Sequence, residues 1–542
     1  MNQLSKSRSS ILFLFFGCAY GIVLANLIYL QLIQHSFFTQ LGQKQYHVNI
    51  TSYPPRGLIL DRNGKFLAIN KDSLAAFILP KQLDNKKQLE SFLAKHFPAA
   101  RERLKTHSQA HFLYVQRRLT PEQIQLIEKS NVTDIKFLNE PNRYYPASAA
   151  ASLIGLTDID NHGLFGLELQ FDKELAGTAS TVSLEKDARS GHFYFNKQTT
   201  NSGQSSKPLI TTIDSDLQFL AQDALQQTVD KYNAKEGAAL IINPQTGEIL
   251  AMTNTPTFDP NNFNESDLAR TKNTCITETY ELGSVFKICS ALAAIDEKVV
   301  TPDELIDCKN TKSTYIDGRK INTVIASGII PFEEVIAQSN NIGIAQVAQR
   351  LGPKLYDHYI KLGFGKKSGI PFPGENKGFV NHPKNWSKQS IISLSYGYEV
   401  SANLLQLGRV FSIIANGGYW IDPVLIQTKI NRKKEKLYSD QTIATIQNFL
   451  EKTTASGTAK KAHIKGYRIM CKTGTANLLE NGRYNNDRNI FTCAGIVEKD
   501  AYQRVIVVFI KEVAQKDLYA SGVAAPLFEQ IAEKVLIKDR VI

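Results

Sequence analysis

Hydrophobic side chains dominate the stretch from Ile11 to Ile33, where 23 consecutive residues carry no charge and Asn26 and Gln31 are the strongly polar interruptions. A helix of that length crosses a hydrocarbon core about 30 Å thick. A cleaved signal peptide has an apolar run of roughly 7 to 15 residues, so the pattern predicts an uncleaved transmembrane helix over 11–33. Lys6 and Arg8 precede the span and the next basic residue is Lys44. The positive-inside rule therefore makes residues 1–10 a cytoplasmic tail and places the rest of the chain on the far side of the membrane.

Further along, Tyr53-Pro-Pro-Arg56 imposes extended backbone, Leu58-Ile59-Leu60 reads as a short strand and Asn63-Gly64 as a turn. Residues 65–185 mix short strands and helices. From Lys197 to Lys207 eleven consecutive residues lack an apolar side chain. Such a segment cannot support a core, so a loop and a domain boundary are expected nearby. Beyond it, Ala238 to Ile242 and Glu248 to Met252 flank the turn Asn243-Pro-Gln-Thr-Gly247 and predict a hairpin, while Ser284 to Ile295 predicts an apolar helix. Three late strands are expected at Arg468–Thr475, Ile490–Val497 and Arg504–Ile510, the last dense in β-branched residues. Two early and three late strands would form one five-stranded antiparallel sheet, flanked by helices and enclosing a helical insertion. The fold class expected is a multidomain mixed α/β (α+β) chain: the membrane helix, a stalk and elongated pedestal over 34–211, and a C-terminal domain over 212–542.

Composition narrows the function classes. With 542 residues, 43% of them hydrophobic, the chain can build several cores and is neither disordered nor a disulfide miniprotein. Its 63 basic residues against 51 acidic ones are scattered, with no aromatic-rich nucleic-acid motif, so no nucleic-acid partner is expected. The six cysteines, at 18, 275, 289, 308, 471 and 493, contain no CxxC pair and exclude zinc-ribbon and thioredoxin readings. Buried free thiols are expected for all but Cys18; Cys471 with Cys493, on neighbouring strands, is the best pairing candidate.

Three short elements carry the chemistry, in this order: Ser284-Val-Phe-Lys287, Ser339-Asn-Asn341 and Lys472-Thr-Gly-Thr475. Together they match the SxxK, SxN and KTG signature of serine enzymes that react with penicillin. The chain also contains a decoy of each, at Ser183-Leu-Glu-Lys186, Ser401-Ala-Asn403 and Lys367-Ser-Gly369. Context separates them. Ser284 opens a helix, where residues i and i+3 share a face, whereas Ser183 sits in a strand, where they point apart. Ser401 and Asn403 precede a helical run and read as caps.

A serine hydroxyl is a weak nucleophile, and a lysine serves as its base only when neutral. Moving a lysine from about 10.4 towards 7 takes roughly 4 to 5 kcal/mol of differential interaction. Lys472 close to Lys287 would supply part of this by like-charge repulsion. Ser339 is a candidate proton relay, and Asn341 a candidate to orient Lys287 or bind a substrate amide. The backbone N–H groups of Ser284 and Thr475 are candidate oxyanion donors. Lys472, Thr473 and Thr475, with Gly474 between the threonines, suit a substrate carboxylate.

The whole chain resembles the class B penicillin-binding proteins, peptidoglycan D,D-transpeptidases, and most of all their division-specific type. Beyond the three catalytic elements, the resemblance rests on Arg56-Gly-Leu-Ile-Leu-Asp-Arg-Asn-Gly64, Tyr144-Tyr-Pro146, Gly163-Leu-Phe-Gly-Leu-Glu168, Phe372-Pro-Gly-Glu375, Tyr396-Gly-Tyr-Glu-Val-Ser401 and Ala524-Ala-Pro-Leu-Phe528. It implies a pedestal below a penicillin-binding transpeptidase domain, stem peptides ending in D-Ala-D-Ala as substrate, acylation by β-lactams, and no metal or cofactor. It also implies a membrane polymerase of the shape, elongation, division and sporulation (SEDS) family and other division proteins as partners. Leu282 stands where the family usually has proline, Asn403-Leu404 replaces a usual Thr-Pro, and Ala520-Ser521 varies a glycine-rich turn. An elongation-type enzyme of the same class shares all the catalytic elements. A β-lactam hydrolase needs neither anchor nor pedestal. A catalytically silent scaffold or β-lactam sensor is the alternative of another kind, against which an intact Ser284, Lys287 and Lys472 argue. Arg56, Asp61 and Arg62 read as a structural ion pair holding the stalk, or as partner contacts.

Overall fold

The computed structural model describes residues 3–186, 193–427, 435–480, 483–515 and 517–541; Met1 and Asn2 of the expected tail lie outside them. The chain divides into two compact units, Met1–Pro55 with Ala176–Ser206, and Arg56–Leu175 with Lys207–Ile542.

In the first unit the helix Gln3–Ile28 continues into a π-helical turn, Tyr29–Ile33, and then into the helix His35–Tyr46. The stretch Arg8–Ile33 is long and apolar enough to cross a membrane. Its large hydrophobic side chains, among them Phe13, Leu14, Ile22 and Leu32, are exposed, as suits a surface that faces lipid. A three-stranded antiparallel sheet follows, with Ser180–Lys186 between His47–Ser52 and Phe193–Asn201. The polar segment after Lys197 is therefore a loop only in part, because its first residues end a strand. Pairing there is carried by main-chain hydrogen bonds, which need no apolar side chain.

In the second unit, a long strand, Phe66–Ile78, pairs with Lys136–Tyr144, Leu113–Gln116 and Ile59–Leu60. Ile59–Leu60 pairs in parallel with Leu209–Ile210. Three helices, Lys86–His96, Pro98–Thr106 and Pro121–Lys129, close a core of Leu89, Leu93, Leu104, Ile127 and Ile78. Thr120 and Gln123 form a capping box at the start of the third.

At the base of this region Arg56 is buried against Glu168, Nε to Oε2 at 2.6 Å, while its Nη1 reaches Asp172 at 2.8 Å. Arg143 meets the other oxygen of Glu168 at 2.7 Å. Asp61 accepts the backbone N–H groups of Asn63 and Lys65 and both N–H and hydroxyl of Ser215. Arg62 reaches Glu248 at 3.4 Å. These engagements are internal, but they are not the expected ion pair: the arginines pair with Glu168, Asp172 and Glu248, and Asp61 among the described residues holds backbone N–H groups and the Ser215 hydroxyl.

The C-terminal region holds the expected five-stranded antiparallel sheet, in the order Ile249–Thr255, Glu236–Ile242, Tyr502–Lys511, Arg483–Lys499, Arg468–Glu480. Side chains alternate between the two faces, apart from an irregularity at Leu250 and Ala251, which pack on the same side. Ile469, Cys471, Cys493, Ile506 and Val508 pack on one face under the helices Ser215–Tyr232 and Ala520–Lys538. Met470, Ala494, Ile496 and Val507 face the helical insertion, which supplies Lys287–Asp296 and Leu404–Ala415. The decoys fall as their contexts predict but for one residue: Ser183 and Lys186 share a strand, Lys367-Ser-Gly369 is loop, and Asn403 caps Leu404–Ala415 in a capping box with Gln406, whereas Ser401 is no cap but pairs with Phe379 in the short strand Val400–Ser401.

Candidate active site

Ser284 lies in a single 3-10 turn, Gly283–Phe286, from which the α-helix Lys287–Asp296 starts directly. In 3-10 geometry residues i and i+3 eclipse, so Ser284 and Lys287 share a face more closely than an α-helix alone would arrange. The turn is pressed against the edge strand by two glycines. A Cβ on Gly283, which has a φ of 60°, would stand 2.7 Å from the carbonyl oxygen of Thr475. A Cβ on Gly474 would stand 2.5 Å from the carbonyl oxygen of Leu282. The middle residue of the third element is thus glycine because the backbone carrying Ser284 runs over it.

Ser339 ends the short helix Phe332–Ala337 and sits at a φ of 59°, a left-handed conformation that costs a serine about 1 to 3 kcal/mol. That backbone aims both its carbonyl and its hydroxyl at Lys287. The Lys287 Nζ donates to the Ser339 carbonyl and, at 3.0 Å, to its Oγ. The Lys472 Nζ donates to the same Oγ at 2.9 Å and to the Thr473 carbonyl at 3.0 Å. One hydroxyl therefore joins two lysines, both wholly buried.

Burial is the larger reason that Lys287 is driven well below its ordinary 10.5, and the nearby Lys472 cation adds to it. Burial likewise pushes Lys472 down to about 8. The Ser284 hydroxyl carries no hydrogen bond among the described residues.

The remaining candidates are held as follows. The Asn341 side chain donates to the Asn322 carbonyl at 2.5 Å, so it is anchored to a hairpin strand and not to Lys287. Asn340, its neighbour, caps the helix Asn341–Leu351. Thr473 donates to Thr458 Oγ1 at 3.0 Å, and Thr475 Oγ1 accepts the N–H of Ala520 at 3.0 Å. Thr458, Asn322 and Thr323, which holds the Asn341 N–H, were not read from the sequence, because each acts through a partner far along the chain. All six cysteines are free. Cys471 flanks Lys472 and Cys493 lies opposite Thr473, both on the sheet face turned away from the lysines. Among the described residues no group of three or more His, Cys, Asp or Glu is placed to hold a metal ion.

Comparison with known proteins follows the same geography. The penicillin binding protein transpeptidase domain family matches residues 237–533, and the penicillin-binding protein dimerisation domain family matches residues 51–209. The chain is 31% identical to the peptidoglycan D,D-transpeptidase FtsI of Buchnera aphidicola subsp. Baizongia pistaciae, over 99% of this chain and 96% of that one. It is 30% identical to FtsI of Escherichia coli K12, over 96% and 90%. Among solved structures, penicillin binding protein 3 of Mycobacterium tuberculosis, complexed with ampicillin, is similar with a TM-score of 0.71 and 26% identity, over 91% of this chain and 97% of that one.

Proposed function

The chain belongs to the class B penicillin-binding proteins, as an FtsI-like member of that family, and from that premise we propose that it cross-links peptidoglycan stem peptides during septal wall synthesis through an acyl-enzyme on Ser284. The observation that carries this reading is the Ser339 hydroxyl bridging two buried lysine amines beside the serine turn.

In the proposed acylation, neutral Lys287 takes the Ser284 proton as Oγ attacks the penultimate D-alanyl carbonyl. The backbone N–H groups of Ser284 and Thr475 receive the oxyanion. Ser339 passes a proton towards the leaving D-alanine, shared between the Lys287 and Lys472 amines. Lys472, Thr473 and Thr475 hold the terminal carboxylate, with Gly474 between the threonines packed under the serine turn, while the substrate backbone lies along the edge strand. Asn341 is left to meet a substrate amide, since the Asn322 carbonyl already takes one of its N–H groups. A second stem peptide's amine then releases the acyl group; water in its place gives a carboxypeptidase side activity.

The proposed organisation is a cytoplasmic tail over 1–10, a membrane span over 11–33, a stalk and pedestal over 34–211 and a transpeptidase domain over 212–542 outside the cytoplasm. A membrane polymerase of the SEDS family and other division proteins are the proposed partners. The test is chemical. Lysine-specific cleavage gives a peptide from Asn273 to Lys287, and penicillin treatment of the full chain should add the drug's mass to it, with no increment in Ser284→Ala. An adduct on Ser339 or Ser183 instead would move the nucleophile elsewhere.

A further inference from the structure

Arg319 begins the second strand of a hairpin, Ser313–Ile316 with Arg319–Asn322, whose far end is the carbonyl that anchors Asn341. Its side chain crosses to the helix Ser390–Ser395, where Nη1 donates to the Ser393 hydroxyl. The helix ends at Ser395 and the chain continues through Tyr396 to Gly397, where an added Cβ would lie 2.2 Å from the Gly283 carbonyl oxygen. Arg319 therefore spans from the Asn341 side of the cleft to the side that supports the Ser284 turn.

A guanidinium has five N–H donors. Arg319 uses one, is only partly buried, and has no carboxylate within salt-bridge distance among the described residues. The acidic group that feels it, Glu281, stands beyond salt-bridge distance: its Oε1 accepts the Glu399 N–H at 2.8 Å, its Oε2 is buried without a hydrogen-bond partner among the described residues, and burial raises its pKa towards the neutral form. Glu399 in turn takes the Asn381 amide at 2.6 Å. Tyr396 and Tyr398 complete the surroundings, in an edge-to-face pair. The cleft wall thus presents a planar cation with spare donors and aromatic neighbours, and no carboxylate of the described residues is paired with it.

We propose that Arg319 is a specificity-determining residue that binds a second carboxylate, one carried on a side chain of the acyl donor, apart from the terminal carboxylate assigned to Lys472, Thr473 and Thr475. The site rests on the transpeptidase reading. Its ligand class is a peptide or peptide analogue with an anionic side group near the scissile carbonyl, for which arginine's fork is the fitting donor.

Benzylpenicillin and carbenicillin differ by one carboxylate on the acyl side chain, so the ratio of their acylation rates on the full chain isolates the site. In Arg319→Ala and Arg319→Gln the carbenicillin-to-benzylpenicillin ratio should fall about tenfold or more, the range of a lost charge-assisted hydrogen bond. Arg319→Lys should recover part of it. In the wild type, added salt should lower the same ratio, a measurement that needs no variant to fold. A ratio unchanged within about twofold in the variants, or indifferent to salt, overturns the site while leaving the transpeptidase reading standing. Failure of both drugs to label Ser284 in the wild type would overturn that reading and the site with it.

Discussion

Two clusters of buried charge lie in the same compact unit and are built on opposite principles. Around Glu168, two arginines divide the two oxygens of one carboxylate, and Asp172 takes up the remaining reach of Arg56. Around Ser339, two lysines converge on one neutral hydroxyl and, among the described residues, no carboxylate pairs with them. The first arrangement satisfies charges that burial would otherwise penalise. The second leaves the penalty in place, and the penalty is what pushes both amines down. Charge neutrality serves structure at one site, and its absence at the other lowers the hold of two amines on their protons.

The sharpest test of that contrast is Lys287→Ala. Acylation by penicillin should fall about 10² to 10⁴-fold, the usual contribution of a positioned base, while thermal unfolding shows no loss of stability. A destabilised variant would mean that Lys287 is a structural member like the arginines. Next in size is Glu168→Leu, which strands two buried guanidinium groups. Denaturant unfolding should show a loss of about 3 to 5 kcal/mol, with acylation per folded molecule retained; a loss below 1 kcal/mol would break the comparison.

The smallest effect, and the one with an unusual sign, concerns Lys472→Met. Lys472 holds its proton to about 8 when folded and to its ordinary 10.5 when unfolded. Between those values the unfolded chain binds more protons, so wild-type stability rises with pH across the window. Methionine removes the cost, and the variant should be more stable than the wild type at pH 7 by a margin on the order of 1 to 3 kcal/mol, narrowing from pH 8 to 10.5. The wild-type acylation profile should climb as Lys287 sheds its proton and turn down above about 8 as Lys472 follows. Those limbs belong to the coupled pair and not to either residue alone. In Lys472→Met, whatever acylation remains should climb at higher pH, because the repelling cation has gone.

What could be read along the chain follows from the range over which each signal acts. The membrane helix, the β-branched run Val505 to Ile510 and the SxxK spacing are encoded within a few residues, and all three are where they were expected. The strand Phe193–Asn201 was hidden because its polar residues gave no alternation to detect. Most of the site's refinement was hidden for another reason. Asn341 held by Asn322, Thr473 by Thr458, and Arg319 laid against Ser393 are contacts between segments that meet only in the folded chain. Proximity of Lys472 to Lys287 could be argued from chemical need, but the weight of burial over repulsion could not.

The sheet's strand order also sets a timetable. Glu236–Ile242 finds its second partner, Tyr502–Lys511, only after all the residues between them have been made, with Gly237 lying opposite Ile510. Contacts so distant in sequence are slow to close. Until then an apolar strand waits with one edge unpaired while the helical insertion is still emerging from the ribosome, a state prone to aggregation unless something shields it. Lys472 arrives in the same late segment. Ser284 is thus synthesised long before the strand that carries Lys472, and the cluster around Ser339 cannot assemble until that strand has been made.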